Sequence, residues 1–322
     1  SGWGSAYVFS TLVGGATYGQ VAKLTASGAT YEDFFGTSVA IDGGTVVVGG
    51  TAPTWAGGSG WGFACVFRTT DDGATYAQVA RLTASDAARG DDFGSSVAID
   101  GDTIVVGAYV DDASRGSAYV FRTTDDGATY VEVAKLRASD GATNDFFGSS
   151  VAIDGDTVVV GAHQYEHNGS GPGSVYVFRT TDGGATYPQV AELTGDNQFG
   201  ISVAIAGNTV LIGDYVDGYG GAVYVFRTTD GVTYVELAKL TASDGASNDN
   251  FGRSVAIDGQ KVVVGAYQGG NAGPGSTYVF GPPVPTIQPT PQPSPAPSAV
   301  AALSCSASVI AFASRRSRSR ST

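Results

Sequence analysis

The chain has 322 residues, of which 42% are hydrophobic and only 15% are charged. This is enough apolar material for a large core, so the composition excludes global disorder. The formal net charge of −13 disfavours binding to nucleic acid and to anionic lipid. It suits cations or basic partners, or simply serves solubility. Cys65 and Cys305 lie far apart in unlike contexts, which predicts neither a disulfide framework nor a zinc site.

A unit of roughly fifty residues repeats along the chain, which is typical of solenoids and propellers. The pair Phe-Gly recurs at spacings of 58, 54, 52 and 52 residues. Each pair opens a near-copy of FGSSVAIDGDTVVVGAY, and a variable loop then leads to GSAYVFRTTDDGATYVEVAKLTASDGA. We expect the Phe to fill the gap between units and the Gly to allow close backbone approach. The structural repeat residues are Phe35, Gly36, Phe93, Gly94, Phe147, Gly148, Phe199, Gly200, Phe251 and Gly252.

Each unit contains four short runs rich in Val, Ile, Tyr and Phe, separated by Asp/Gly turns, which predicts four strands. In the third copy the runs are 150–153, 157–161, 175–178 and 189–193. The second run is continuously apolar, as expected of a strand covered on both faces. The fourth run alternates, and we expect Val131, Val133 and Leu136 on its dry face against Glu132 and Lys135 on its wet face.

A four-stranded sheet cannot bury both of its apolar faces alone, so the repeat predicts an all-β fold, a β-propeller of antiparallel blades. The chain opens with two strands that match the third and fourth of a unit, and four full units follow. The last unit supplies only three strands. Two arrangements are compatible with this phase. Either further sequence completes a larger ring, or the N-terminal fourth strand closes a five-bladed ring and leaves one strand over.

The repeat resembles the FG-GAP family, found in the head of integrin α chains and in bacterial and algal surface proteins. The resemblance rests on FGSSVAIDGDTIVVGAY at 93–109 and its copies, and on KLTASDGASND at 239–249. It implies a propeller over residues 1–281, and adhesion, lectin-like binding or enzymatic activity. Many members carry a D-x-D-x-D-G calcium loop, but the turn at 100–102 offers only two carboxylates, too few for calcium. No cofactor is predicted. The weak Ca²⁺ candidates are Asp140, Asp145, Asp244 and Asp249.

A second motif, T-x-D-x-G-x-T-Y at 123–130, resembles the Asp-box hairpin of sialidase-type propellers. Copies occur at 69–76 and 180–187. We expect its Asp to accept hydrogen bonds from the turn and its Tyr to pack beneath it, which is a structural role. The arginines Arg68, Arg122, Arg179 and Arg227 occupy equivalent places and therefore do not converge on one pocket. We predict no catalytic residue and no enzyme activity.

The units differ most in the loop between the second and third strands, which shares one propeller face with the connection from the fourth strand to the next first strand. Aromatic residues in variable loops on a rigid scaffold favour ligand recognition, although they can also pin the loops. The candidate ligand-binding residues are Trp55, Trp61, Tyr109, Asp111, Arg115, His163, Tyr165, His167, Tyr215, Asp217, Tyr219 and Tyr267. Asn168 begins a glycosylation sequon in the longest of these loops.

The repeat stops after residue 281. A proline-rich stretch at 282–298 predicts a disordered, semi-rigid stalk. An apolar segment at 299–314 followed by a basic tail at 315–322 is compatible with a single-span membrane anchor or with a disordered tail. We therefore expect an extracellular or cell-surface binding or adhesion module for a protein or glycan. The alternatives are a hydrolase, sialidase-like or lipase-associated, and a structural coat protein without a small ligand.

Overall fold

A computed structural model describes residues 4–11, 17–28, 33–52, 60–164, 172–196, 198–218, 220–267 and 274–281. The stalk, the apolar segment, the basic tail and the sequon Asn168 lie outside these residues. The described part is almost wholly antiparallel β-sheet, with one helical turn, α1 (Asp111–Ser114). It holds no helix with the length and apolar character needed to cross a membrane.

The strands form six sheets in chain order, and consecutive strands pair within each sheet. The first sheet holds two strands, the last holds three, and the four between them hold four each. The strands are β1 (Ala6–Thr11) and β2 (Tyr18–Leu24); β3 (Phe35–Asp42), β4 (Thr45–Gly50), β5 (Phe63–Arg68) and β6 (Ala77–Leu82); β7 (Phe93–Asp100), β8 (Thr103–Ala108), β9 (Ser117–Arg122) and β10 (Val131–Leu136); β11 (Phe147–Asp154), β12 (Thr157–Ala162), β13 (Gly173–Arg179) and β14 (Gln189–Gly195); β15 (Ser202–Ala206), β16 (Thr209–Asp214), β17 (Ala222–Thr228) and β18 (Tyr234–Leu240); β19 (Phe251–Asp258), β20 (Lys261–Ala266) and β21 (Ser276–Phe280).

The first strands of successive units contact one another in series: β3 with β7, β7 with β11, β11 with β15, and β15 with β19. These strands are therefore innermost, and the sheets radiate from a common axis as blades. The prediction of an all-β propeller with four-stranded antiparallel blades is confirmed. The second strands are buried on both faces, as expected from their continuous valine runs.

The fourth strands differ from their predicted faces. Val131 is 63% exposed and Val133 is 36% exposed, whereas Leu136 is buried. A register shift between Glu132 and Ala134 interrupts the pairing of β10 with β9. Glu132 instead accepts hydrogen bonds from Ser85 of the preceding connection, so a charged side chain joins neighbouring units where we expected a solvated face.

Each Phe-Gly pair forms the junction between two blades, as predicted. Phe147 is fully buried and packs between valines of the preceding blade and Phe178 of its own blade. Gly148 has φ 91°, and a Cβ there would lie 2.3 Å from the carbonyl oxygen of Ser117 in the preceding blade. No side chain fits at this position, so the glycine is required by both conformation and space.

Two sets of hydrogen bonds repeat at these junctions. A serine hydroxyl in the first strand donates to the glycine carbonyl of the next Phe-Gly pair, at 2.8 Å in each of four cases: Ser38 to Gly94, Ser96 to Gly148, Ser150 to Gly200 and Ser202 to Gly252. In three blades a carboxylate of the first hairpin accepts a hydrogen bond from the glycine amide of the next hairpin: Asp42 from Gly101, Asp100 from Gly155 and Asp154 from Gly207. The hairpin aspartates thus join blades.

The two ends of the row of blades are exposed. β2 pairs with β1, so the structure does not use the N-terminal fourth strand to complete the last sheet. Val279 of β21 is 70% exposed, whereas its counterpart Val120 in β9 is fully buried against the following blade. Ser254 corresponds to Ser150, and its hydroxyl forms no hydrogen bond within the described part of the chain. The end blades therefore lack the junction that buries each inner blade.

The Asp-box turns form closed hydrogen-bond networks, as predicted. The carboxylate of Asp125 accepts hydrogen bonds from the hydroxyl and amide of Thr129 and from the hydroxyl of Thr123. These bonds, those from Thr129 foremost, lower the pKa of Asp125 to about 2. Arg68 of one blade reaches the turn of the next at Asp126, and Arg122 donates to the carbonyl of Gly183. The repeated arginines thus have a structural role.

The serine junction can be tested with a matched pair of substitutions. Ser150→Ala removes an inter-blade hydrogen bond and should lower the free energy of unfolding by about 1 kcal/mol. Ser254→Ala removes the corresponding hydroxyl where no next blade accepts it, and should change stability by less. Urea unfolding monitored by fluorescence measures both. Equal losses would contradict the role of this hydrogen bond.

The Asp-box carboxylate predicts a defined pH dependence. Because the pKa of Asp125 is lower in the folded state, its contribution is complete above the unfolded value of about 3.9 and is lost as pH falls toward 2. Asp125→Asn should therefore lower the melting temperature at pH 7 but much less at pH 2.5. The control is Asp72→Asn, which removes the same charge from an exposed side chain at the equivalent place in the preceding Asp-box turn. A pH-independent difference for Asp125→Asn would contradict this assignment.

Candidate ligand-binding face

The second strand of each blade ends where the next first strand begins, at one end of the propeller. We call this end the loop face, because it carries the loops between second and third strands and the connections between units. The predicted candidates Tyr109, His163, Tyr215 and Tyr267 follow the ends of β8, β12, β16 and β20. They lie on the axial side of the loop face, because first and second strands are the inner strands.

Two groups of contacts lie near the axis on the loop face, and together we call them the axial rim: Tyr109, Phe146 and His163 in one group, and Tyr215 and Arg253 in the other. The ring of Phe146 lies 5.7 Å from that of Tyr109 and stacks on that of His163 at 5.7 Å. The guanidinium of Arg253 lies over the ring of Tyr215 at 5.2 Å. Aromatic and cationic groups from four blades thus meet on one face.

Arg253 differs from its counterparts in the other units. The residue directly after Phe-Gly is Ser95 or Ser149 in two sister strands, and Arg253 replaces it in β19. Its side chain is exposed and forms no salt bridge with any carboxylate that the structure describes. Its charge acts on His163, which lies two blades away along the chain. The guanidinium is therefore available to an anionic or polar group that approaches the rim.

His163 is held in its neutral form. Burial, and secondarily the charge of Arg253, lower the pKa of His163 to about 4. Its Nδ1 lies 2.8 Å from the hydroxyl of Ser149. Burial foremost, and then the nearby carboxylate of Asp92, raise the pKa of Tyr109 to about 12. At neutral pH the rim therefore presents uncharged rings and one cation.

The predicted carboxylate candidates have partners within the protein. Asp111 is buried and accepts hydrogen bonds from Ser117 and from Lys135, whose Nζ lies 2.7 Å away. Asp217 binds Tyr224 and Lys239 in the same manner. These two carboxylates fasten loops to the outer strands, so they stabilise the loop face and lie outside the axial rim.

The four calcium candidates also hold local structure. Asp140 and Asp244 accept hydrogen bonds from Tyr176 and Tyr278. Asp145 and Asp249 accept hydrogen bonds from backbone amides of their own connections. Within the described ranges no three His, Cys, Asp or Glu side chains form a group that could hold a metal ion. The absence of a cofactor, with these four residues as weak calcium candidates, stays a prediction.

The remaining predicted residues fall in three places. Arg115 pairs with Asp112 at the surface, and Tyr267 is 65% exposed with its carbonyl bound by Asn250. Trp61 is 55% exposed and lines a separate cleft in the first complete blade. The candidates outside the described residues are Trp55, Tyr165, His167 and Tyr219.

The structure adds Phe146, Arg253 and Arg81 to the residues with functional potential. All three were open to detection, because each departs from the residue at the same place in at least one sister unit. What the sequence did not indicate is that Phe146 and Arg253, from blades separated in the chain, contribute to one rim.

Comparison with known proteins assigns the family. Five segments match the FG-GAP repeat model, at residues 18–64, 76–121, 130–178, 192–226 and 234–280. These segments cover more than half of the chain, and each runs from the last strand of one sheet to the third strand of the next. The protein is a β-propeller, and the chain belongs to the FG-GAP repeat family. No curated protein sequence matches it.

Two solved structures are similar in fold. A protein assigned as a 6-phosphogluconolactonase from Bacteroides uniformis matches with a TM-score of 0.58 and 12% identity, over 85% of this chain and 74% of that one. An α-L-arabinanase from Penicillium chrysogenum matches with a TM-score of 0.46 and 12% identity, over 76% of this chain and 77% of that one. At this identity the first likeness shows the fold alone.

The lowered pKa of His163 predicts a second pH dependence of stability, at a higher pH than that of Asp125. A histidine with a lowered folded pKa is protonated first in the unfolded state, so stability is lost as pH falls from about 6.5 to 4. His163→Gln should reduce the fall in melting temperature over this range. The ring NMR signals of His163 are those that the wild-type protein shows and the His163→Gln variant lacks. These signals should titrate with a midpoint near pH 4. A midpoint near 6.5 would contradict the burial of this ring.

Proposed function

We propose that this propeller is a binding module on the outside of a cell and that its loop face recognises a glycan. The observation that carries the proposal is the axial rim, where aromatic side chains at the ends of second strands, Phe146 and the unit-specific Arg253 meet on a scaffold of repeated junctions. A rigid frame with a few differing side chains at one face suits recognition, because binding then costs little ordering of the protein.

The chemistry of the rim favours a sugar ligand. The rings of Tyr109, Phe146 and Tyr215 are half-buried, so each is held in place while part of its surface stays accessible. Aromatic faces pack against the C–H surfaces of sugars, and the Arg253 guanidinium supplies hydrogen-bond donors. A protein ligand is the alternative occupant of the same face.

A hydrolase would need an accessible acid or base among the non-repeating residues. Asp214 replaces a small residue at the end of β16, and burial raises the pKa of Asp214 to about 6. However, its side chain is fully buried and accepts hydrogen bonds from the amides of Val216 and Asp217. A carboxyl in that position supports the loop and does not reach a substrate, so binding is the better-supported function.

The proposal is tested by binding of the full chain to an array of neutral and acidic oligosaccharides. We expect binding to a subset of glycans, and Arg253→Ser, which restores the sister residue, should weaken it about tenfold. Tyr215→Ala should weaken binding as well.

The matched control is Arg227→Ser, which removes one arginine from the opposite end of a blade and should leave affinity unchanged. If no glycan binds, or if Arg253→Ser and Arg227→Ser behave alike, the rim is not a glycan-binding surface. Capture of a protein ligand that Arg253→Ser abolishes would replace the glycan by a protein.

A further inference from the structure

The first complete blade lacks a contact that three of its sisters share. In those blades a third-strand tyrosine donates a hydrogen bond to an aspartate of the preceding connection. The pairs are Tyr119 with Asp86 at 2.8 Å, Tyr176 with Asp140 at 2.9 Å and Tyr278 with Asp244 at 2.8 Å. The corresponding residues in the first complete blade are Cys65 and Gly28. Both partners of the pair have been replaced by smaller residues.

The loss of this pair changes the environment of a cation. In the second complete blade, Lys135 lies between Asp86 and Asp111, at 2.6 and 2.7 Å. The residue at the same place in the first is Arg81. Arg81 forms no salt bridge with a carboxylate among the described residues. Its guanidinium lies 3.7 Å from the centre of the Phe63 ring, and Nη1 makes only a long, 3.4 Å contact with the carbonyl of Ser27.

A cleft of about 370 Å³ opens at this place, within the size range of small-molecule sites. Its walls include a buried ring, an exposed ring, a cation and a carboxylate that is only 8% exposed. These side chains belong to Phe63, Trp61, Arg81 and Asp33. The thiol of Cys65 lies beneath them, and burial raises the pKa of Cys65 to about 11, so it adds no charge.

We infer that this cleft binds a pyranose that carries a carboxylate, as a uronic acid does. The planar guanidinium of Arg81 can bind both oxygens of a carboxylate. In the second complete blade the protein itself supplies carboxylates, Asp86 and Asp111, to the cation at this place. The half-exposed indole of Trp61 packs against the sugar ring. Asp33 accepts hydrogen bonds from ring hydroxyls. A neutral sugar leaves the guanidinium without its partner.

The inference deepens the proposed glycan binding by adding a second site that shares no residue with the axial rim. It assigns acidic sugars to the first complete blade, whereas the rim belongs to the later blades. The two sites therefore respond to different substitutions.

The test is calorimetric titration of the full chain with a galacturonate trimer, with a galactose trimer as the neutral probe and a sulfated galactose trimer as the second anion. Wild-type protein should bind the galacturonate trimer at least tenfold more tightly than the neutral trimer. Arg81→Gln should remove that preference. Arg81→Lys restores the residue type of the second complete blade. This variant should keep only part of the preference for galacturonate, because an ammonium cannot make the two parallel hydrogen bonds of a guanidinium.

Two further variants separate this site from the rim. Trp61→Ala should weaken binding of the galacturonate trimer about tenfold, and Arg253→Ser should leave it unchanged. A preference for galacturonate that Arg81→Gln retains, or that Arg253→Ser removes, overturns the inference and leaves the proposed function standing. Equal affinity for the sulfated trimer overturns the assignment to carboxylates. Failure of every glycan to bind contradicts the proposed function as well.

Discussion

The structure depends on the junction between blades. A four-stranded sheet with continuous valine runs has two apolar faces, and only a neighbouring sheet can cover them. The Phe-Gly pair makes this close approach possible: the phenylalanine fills the layer between sheets, and the glycine leaves room for the backbone of the preceding blade. The serine hydroxyls and hairpin aspartates then satisfy polar groups at the same interface. Packing, backbone conformation and hydrogen bonding all require the same few residues.

Because the scaffold is repeated, each unit serves as a control for the others. A residue that recurs in equivalent places serves the junction, the turn or the loop anchor, as the arginines near the Asp-box turns do. A residue that differs from those at the same place in the other units does not serve that structural role. Arg253 replaces a serine and projects over Tyr215, and Gly28 replaces an aspartate, so that Arg81 forms no salt bridge with a carboxylate in the part of the chain that the structure describes. Both substitutions lie on the loop face, where the units differ most from one another.

The sequence indicated the architecture well because strand and turn signals are local and were repeated five times. The sequence was a less reliable guide to features that depend on contacts between residues distant in the chain. The faces of β10 were assigned wrongly: Val131 and Val133 are exposed, and Glu132 accepts hydrogen bonds from Ser85 of the neighbouring connection. Asp111 and Asp217 were expected to contact a ligand, but lysines from adjacent strands bind them. An acidic residue in a loop has the same sequence signature in both roles.

The sequence by itself determined the blades, their four-stranded pattern, the buried Phe-Gly pairs and the Asp-box turns, because hydrophobic period and turn chemistry act over a few neighbouring residues. Only the tertiary structure decided which loop residues share a site. Phe146 meets Tyr109 of the preceding blade, and Arg253 meets Tyr215 of its preceding blade, because the blades curve around an axis and bring distant segments together. The pairing of β1 with β2, and the exposed face of β21, were likewise open in sequence. Strand pairing at the ends depends on competition between distant edges, which local patterns do not encode.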